Sequence, residues 1–163
     1  MNNEIVKYTM PWSIDVILIT AVAGILMLFG LIFPFYIEGT TWLIKLSTVT
    51  IALVLLVCAC YIPRSVEVGE GSVKLQKFVG NISIPVSEIQ EIRTIAYRDI
   101  SNSIRLFGSG GLFGYLGSFS NNALGKYTMY ATDKNNLFLI RTADKTYVFS
   151  CNNSKELVEL LQK

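Results

Sequence analysis

The stretch that decides the fold is VILITAVAGILMLFGLIF, residues Val16–Phe33, which carries no charged side chain. Its 18 residues would reach about 27 Å as an α-helix, at about 1.5 Å per residue, close to the thickness of a bilayer's hydrocarbon core. Trp12 and Tyr36 supply amphipathic rings at the two ends, and Pro34 is expected to stop the helix. The run is longer than the apolar core of a secretory signal, so we predict a transmembrane helix over about 14–33 that remains in the mature protein.

A second uncharged run, LSTVTIALVLLVCACYI, covers the 17 residues Leu46–Ile62. Lys45 lies one turn inside a helix predicted over about 42–62, where its amine can reach outward to the interface. The connecting segment Pro34–Thr41 contains the flexible Gly39 and is long enough to reverse the chain, so the two runs predict a helical hairpin. Two core helices of a soluble bundle would need polar faces, and neither run has one.

Basic residues near the helix ends predict the orientation of the hairpin. Only Lys45 lies on the side of the connection, whereas four basic residues lie on the side of the termini: Lys7, Arg64, Lys74 and Lys77. The asymmetry places both termini in the cytoplasm. Residues 1–63 are therefore predicted to form a membrane anchor, and residues 64–163 a separate folded domain.

The folded domain has the period of β-strands, with turn residues between short apolar segments. One amphipathic helix should close it, with Asn153 as N-cap, Glu156 three residues on, and an apolar face of Leu157, Val158, Leu160 and Leu161. The pattern predicts an α+β domain, a strongly bent antiparallel sheet or open barrel with the helix over one end, whose last three strands form a meander. About seven strands are expected: Ser65–Val68, Ser72–Val79, a short strand at Ile82–Ile84, Ser87–Tyr97, Tyr127–Thr132, Asn136–Thr142 and Thr146–Ser150.

Short motifs in this half resemble the membrane-anchored bacterial pleckstrin-homology-like (PH-like) proteins. They follow the two apolar runs in the order IPRSV at 62–66, IPVSEI at 84–89, RLFGSGG at 105–111, YATD at 130–133 and YVFS at 147–150, and the last helix completes the pattern. The resemblance covers about 61–161. It implies a PH-like open barrel with a C-terminal capping helix, attached to a bacterial cell membrane. It implies no activity, because a fold does not determine a function.

The most unusual stretch is RLFGSGGLFGYLGSFSNNALGK, residues 105–126. High glycine content permits positive φ and close backbone approach, while exposed rings would be costly in water. The stretch therefore has two interpretations: a loop that docks on a partner, a ligand or the lipid interface, or a bent hairpin whose rings pack on its own sheet. The candidate binding residues are Phe107, Gly108, Gly110, Gly111, Phe113, Tyr115 and Phe119.

Basic side chains near the anchor give a second candidate site. In eukaryotic PH domains, cations around the first hairpin clamp inositol phosphates, but here that hairpin offers only Lys74 and Lys77. Glu67 and Glu70 lie beside its turn and would oppose an anionic head group, which counts against phosphoinositide binding. We expect Arg64 and Lys77 to neutralise anionic lipid close to the membrane.

Composition argues against catalysis and against nucleic-acid binding. The chain contains no histidine, which removes the commonest general base and metal ligand, so no enzyme activity, metal or cofactor is predicted. The net charge is only +2, too small for a charge-driven nucleic-acid partner. The three cysteines form no pair motif and are interpreted as small apolar residues.

Two functions remain open from the sequence. The first is a non-enzymatic, membrane-anchored interaction module that binds a protein partner or a second copy of itself through a strand edge and the glycine-aromatic stretch. The second is a sensor or binder of a lipid head group or small ligand at the open end of the barrel. A continuous apolar patch would favour the first, and converging polar residues would favour the second.

Overall fold

The computed structural model describes residues 5–37, 39 and 41–162. Outside the described residues lie 1–4, 38, 40 and 163. The predicted anchor includes 1–4, its connection includes 38 and 40, and the predicted domain ends at 163. The described residues form two long helices, ten strands and a short C-terminal helix, with two single-turn 3-10 helices among the strands. In chain order these are β1 (Val6–Thr9), α1 (Ile14–Tyr36), α2 (Trp42–Ala59), β2 (Pro63–Gly69), β3 (Ser72–Lys77), β4 (Asn81–Pro85), β5 (Glu91–Ile95), β6 (Ile104–Gly111), β7 (Gly114–Asn121), β8 (Gly125–Ala131), β9 (Leu137–Arg141), β10 (Thr146–Ser150) and α3 (Ser154–Leu161).

Both long helices are apolar and long enough to cross a membrane. The prediction that Pro34 stops α1 is wrong, since the helix continues through Pro34 to Tyr36. A proline this close to a helix end removes only one hydrogen bond of the last turns, so it is tolerated there. α2 ends at Ala59, before the predicted 62, and the chain passes directly into β2.

The strands form two sheets, and the seven predicted strands are all present. One sheet has the order β1-β2-β3-β4 and the other β5-β9-β10-β8-β7-β6, so the barrel is open, as expected. The predicted meander of the last three strands is wrong, because β8 pairs with β10 in parallel and β9 lies on the other side of β10. The connection after β8 turns the chain away from a hairpin. The Thr132 N–H donates to Ser150 Oγ of β10 at 2.9 Å, and Asp133 accepts hydrogen bonds from Asn135 and Asn136. The chain therefore crosses the end of β10 before β9 begins.

Strand β1 comes before the two long helices yet belongs to the sheet that follows them. It pairs antiparallel with β2, with Val6 opposite Val68 and Thr9 opposite Ser65. Tyr8 and the following Met10 are buried in the domain core. The boundary at residue 63 stays a prediction, but a strand from the anchor side of that boundary contributes to the folded domain.

The core is divided by the six-stranded sheet, which is buried on both faces at its centre. Strand β9 shows this division directly: Phe138 and Ile140 pack in one cluster with the four-stranded sheet and α3, and Leu137 and Leu139 pack in the other. Alternate side chains of a strand point to opposite faces, so a strand buried on both faces is a continuous apolar run. Val16 of α1 belongs to the second cluster and is fully buried.

Helix α3 packs against β5 and β9, as the capping helix was expected to do. Leu157 is fully buried, but the prediction that Leu160 shares the apolar face is wrong, since its side chain is exposed. Asn153 occupies the N-cap position; its side-chain amide donates to the Glu156 carboxylate at 3.2 Å rather than capping a backbone N–H. An eight-residue helix has room for only one narrow buried stripe.

Candidate interaction surface

The glycine-aromatic stretch forms a β-hairpin, β6–β7, that extends the six-stranded sheet to its edge. Gly108 and Gly117 lie directly opposite each other at positive φ. A methyl group on Gly108 would strike the carbonyl oxygen of Leu116, and one on Gly117 would strike that of Phe107. Only glycine permits this close approach of the two backbones, which accounts for part of the unusual composition.

The rings of the hairpin divide between the core and the surface. Tyr115 and Phe119 are buried in the second cluster, where Phe119 stacks on Tyr127 with 5.9 Å between ring centroids. For these two candidate residues the packed-hairpin interpretation applies, and they cannot touch a partner without unfolding of the sheet. Phe107 is the opposite case, since 79% of it is exposed.

The outer edge of the hairpin is apolar and open. β6 is the last strand of its sheet, and three of its apolar side chains, Ile104, Leu106 and Phe107, are exposed. The exposed Arg105 lies between the first two. The pairing register shifts between Arg105 and Phe107, so Leu106 sits in a β-bulge without a residue opposite it. Such an edge can accept another strand or an apolar side-chain surface.

The tip of the hairpin, by contrast, contacts α1. The Phe113 backbone N–H donates to Thr20 Oγ1 at 3.0 Å, and Gly111 lies against Ile19 so closely that a methyl group there would be 2.9 Å from its Cδ1. Phe113 has a φ of 60°, uncommon for a bulky residue. The tip is therefore fixed against the second turn of the helix.

A charged cluster at the start of α1 completes this junction. Lys134 Nζ lies 4.2 Å from the centroid of the Tyr115 ring, 5.1 Å from that of Tyr97 and 4.0 Å from Asp15 Oδ2. Burial alone would lower the pKa of Lys134, but Tyr115, Tyr97 and Asp15 together raise it. Sequence reasoning missed this cluster; its one visible signal was Asp15, a carboxylate placed just before an uncharged run.

The candidate basic residues do not converge on one site. Lys74 pairs with Glu70 at 2.9 Å on the surface. Arg64 lies over the Phe78 ring at 4.6 Å, and Lys77 over the Tyr61 ring at 5.3 Å, so both stand beside the end of α2.

Glu67, which was expected to oppose an anionic ligand, is engaged on the same sheet. A hydrogen bond from Gln76 and the nearby Lys7 amine hold the pKa of Glu67 below its usual value. No phosphate clamp of the kind seen in eukaryotic PH domains is assembled by these side chains among the described residues.

A polar groove of about 1010 Å³ lies between the end of β5, the loop before β9 and the start of α3. Its cations are Arg93, Arg98 and Lys155. Arg93 is paired with Glu91 at 2.7 Å, and Arg98 is 4.0 Å from Asp99. The groove is therefore a wide, partly neutralised surface with several amide side chains.

Acidic and thiol side chains do not gather into a metal-binding cluster in the part of the chain that the structure describes. No group of three Cys, Asp or Glu residues there could hold a metal ion. Burial raises the pKa of the Cys151 thiol to about 12, so it is inert at neutral pH, as a buried apolar cysteine should be. Cys58, by contrast, is exposed on the surface of α2.

Comparison with known families gives a match to the bacterial PH domain over residues 64–163. Neither the curated proteins nor the solved structures contain a match to the chain. The matched segment starts within β2 and includes all the strands and the helix that follow it.

Proposed function

The chain belongs to the bacterial PH domain family, and from this premise we propose that it is a membrane-anchored, non-enzymatic module that binds a protein partner or a second copy of itself at the cytoplasmic face of a bacterial cell membrane. PH-like domains are in general binding modules without catalytic activity. The observation that carries the proposal is the apolar, unpaired edge of β6, with Phe107 exposed at 79%.

The surface of the two long helices supports membrane anchoring. Almost none of either helix is buried in the molecule, and large apolar side chains from Ile17 to Phe35 and from Trp42 to Val57 are exposed away from the face that the two helices share. In water such a surface would far exceed the apolar patch that a soluble monomer tolerates. A bilayer removes this cost, because lipid tails solvate the side chains.

The pairing of β1 with β2 supports a hairpin that enters and leaves on one side. β1 precedes α1, and β2 follows α2, so their pairing in one sheet favours a hairpin whose two ends lie on the same side of the bilayer. The basic residues of that side, against Lys45 at the connection, favour the cytoplasm.

The direction of the hairpin β6–β7 supports a contact with protein rather than lipid along the β6 edge. The tip contacts Thr20, and Tyr115 Oη lies 3.4 Å from Asp15 Oδ2, so β7 runs from the membrane helix towards the aqueous side. Phe107 pairs with Ser118, three residues beyond Tyr115, which is about 10 Å further from the membrane at about 3.3 Å per residue.

Site-specific photo-cross-linking in native membranes tests this proposal. A photoreactive phenylalanine analogue replaces Phe107 in the full chain, and the matched control carries it at Leu160, another exposed apolar position on a different face. We expect a discrete cross-linked protein or a cross-linked dimer from Phe107 and none from Leu160. Equal, diffuse adducts at both positions, with urea midpoints like that of the parent, would refute an interaction surface at β6.

The polar groove favours a second candidate function, binding of an anionic head group or small ligand. Arg98 and Lys155 are its least neutralised cations, and they supply the donors for a phosphate. Thermal unfolding of the full chain in detergent, with and without glycerol phosphate, tests this candidate. An upward shift that disappears in Arg98→Gln supports it, and unchanged melting excludes it.

A further inference from the structure

We propose that the folded domain is itself embedded in the lipid interface through a membrane-facing rim, formed by Tyr61, Phe78, Val79, Leu112 and Phe113. The occupant of this rim is the head-group and upper acyl region of the bilayer that holds α1 and α2. The inference rests on the membrane anchoring proposed above and adds a second lipid-binding surface to it.

The lengths of the helices give the level of the rim. Only five residues connect α1 to α2, so the start of α2 at Trp42 lies at about the same height along the membrane normal as the end of α1 at Tyr36. The 18 residues of α2 then descend to about the height of Ile19 and Thr20, since both helices rise about 1.5 Å per residue. The groove between the helices agrees with this register: Gly24 and Met27 line it together with Ala52 and Leu55.

Both parts of the rim are tied to this level by hydrogen bonds. The Phe113 N–H donates to Thr20 Oγ1 at 3.0 Å, and the Val79 N–H donates to the Cys60 carbonyl at 2.9 Å, just after α2 ends. The first turn of α1 lies below this level, where Val16 is fully buried against the domain while Ile14 and Ile17 remain exposed. The hairpin tip and Phe78–Val79 thus flank the two helices where these meet the domain.

The chemistry of the rim fits an interface rather than water. Two-residue hairpin turns usually carry Asn-Gly or similar polar pairs, whereas this one is Leu112-Phe113, with Phe113 in the left-handed region. Phe78 and Val79 are exposed at 60% and 57%, whereas Leu112 and Phe113 are half-buried. Apolar side chains of this kind enter the boundary between head groups and acyl chains.

The charges next to the rim fit the same occupant. Arg64 stands over the Phe78 ring and Lys77 over the Tyr61 ring, which brings two cations to the depth of the phosphates while their aromatic neighbours face the lipid. The apolar side chains of the rim are also continuous with the exposed apolar surface of α2, from which Tyr61 is separated by one residue after the helix ends.

Depth-dependent fluorescence quenching of the full chain in vesicles tests the inference. Single cysteines replace Leu112, Ile104 and Leu28 in turn, in a background with Cys58→Ala and Cys60→Ala, and are labelled with an environment-sensitive dye; Cys151 is buried and remains. The vesicles contain phosphatidylcholine and phosphatidylglycerol, with spin-labelled lipid as quencher. Ile104 lies on the same hairpin but far from its tip, and Leu28 is exposed in the middle of α1.

We expect blue-shifted emission and strong quenching at Leu112 and Leu28, and no quenching by the spin-labelled lipid at Ile104. Quenching at Leu28 without quenching at Leu112 would overturn the rim while leaving the anchor intact. Absence of quenching at Leu28 would overturn the proposed anchoring, and the rim with it. Quenching at both Leu112 and Ile104 would mean that the hairpin lies flat on the membrane, which also contradicts the inference.

Discussion

Removal of β1 should unfold the domain, although the family match begins only at residue 64. We compare a fragment of residues 63–163 with one in which residues 5–11 are joined to it by a Gly-Asn-Gly linker in place of the helices. The linker is short because the end of β1 meets the start of β2: the Met10 N–H donates to the Arg64 carbonyl at 3.1 Å. Both fragments lack Val16, so the comparison isolates β1.

The magnitude follows from the two side chains that β1 and the residue after it contribute to the core. Tyr8 and Met10 are only 4% and 5% exposed. Loss of a buried methionine costs about 2–5 kcal/mol and loss of a large buried ring about 3–5 kcal/mol. Together they approach the whole stability of a small domain, about 5–15 kcal/mol. The fragment 63–163 should therefore be unfolded or nearly so in water.

Urea unfolding followed by circular dichroism measures this difference. The joined fragment should show a cooperative transition, Tyr8→Ala within it should lose most of the gain, and Lys7→Ala should have little effect, because Lys7 is exposed and its pair with Glu67 is a surface one. Equal urea midpoints for the two fragments would refute the reasoning and show that the matched segment is self-sufficient.

Three further predictions follow from single positions. Gly117→Ala should destabilise the chain by more than the roughly 1–2 kcal/mol expected for Gly125→Ala, since both have positive φ but only Gly117 has a carbonyl oxygen in the way; equal urea midpoints would contradict the close strand approach. Cys151 should react with a maleimide only after unfolding, because burial raises its thiol pKa to about 12; labelling of the native protein would show that the site is open. With the native cysteines removed, Gly39→Cys should be labelled by an impermeant reagent from outside the cell, and Lys155→Cys should not; the reverse pattern would invert the topology.

The predicted elements that are confirmed are those with a strong local signal. The two helices rest on uncharged runs, and the seven strands on short alternating segments between turn residues. The sequence does not predict β1, because Val6–Thr9 is only four residues long and its partner β2 lies beyond both long helices. The sequence does not distinguish a loop from a hairpin at β6 and β7, because glycine weakens the strand signal even where it permits the closest pairing.

For the candidate surface, composition singled out the segment but not which of its side chains are exposed. Tyr115 and Phe107 are both aromatic residues among glycines, yet one is buried and the other exposed. The bulge at Leu106 and the edge position of β6 decide which side chains point outward. Neither feature has a signature in a single strand, because both depend on the strand opposite.

The sequence by itself determined the two long apolar helices and the period of the strands that follow, because run length and alternation are local properties of the chain. Only the tertiary structure decided that β1 closes onto β2, that Val16 belongs to the domain core, and that the hairpin tip contacts Thr20. Burial and strand pairing depend on residues that are distant along the chain. The free energy of such a contact belongs to both segments, and the local sequence of either segment does not identify the other.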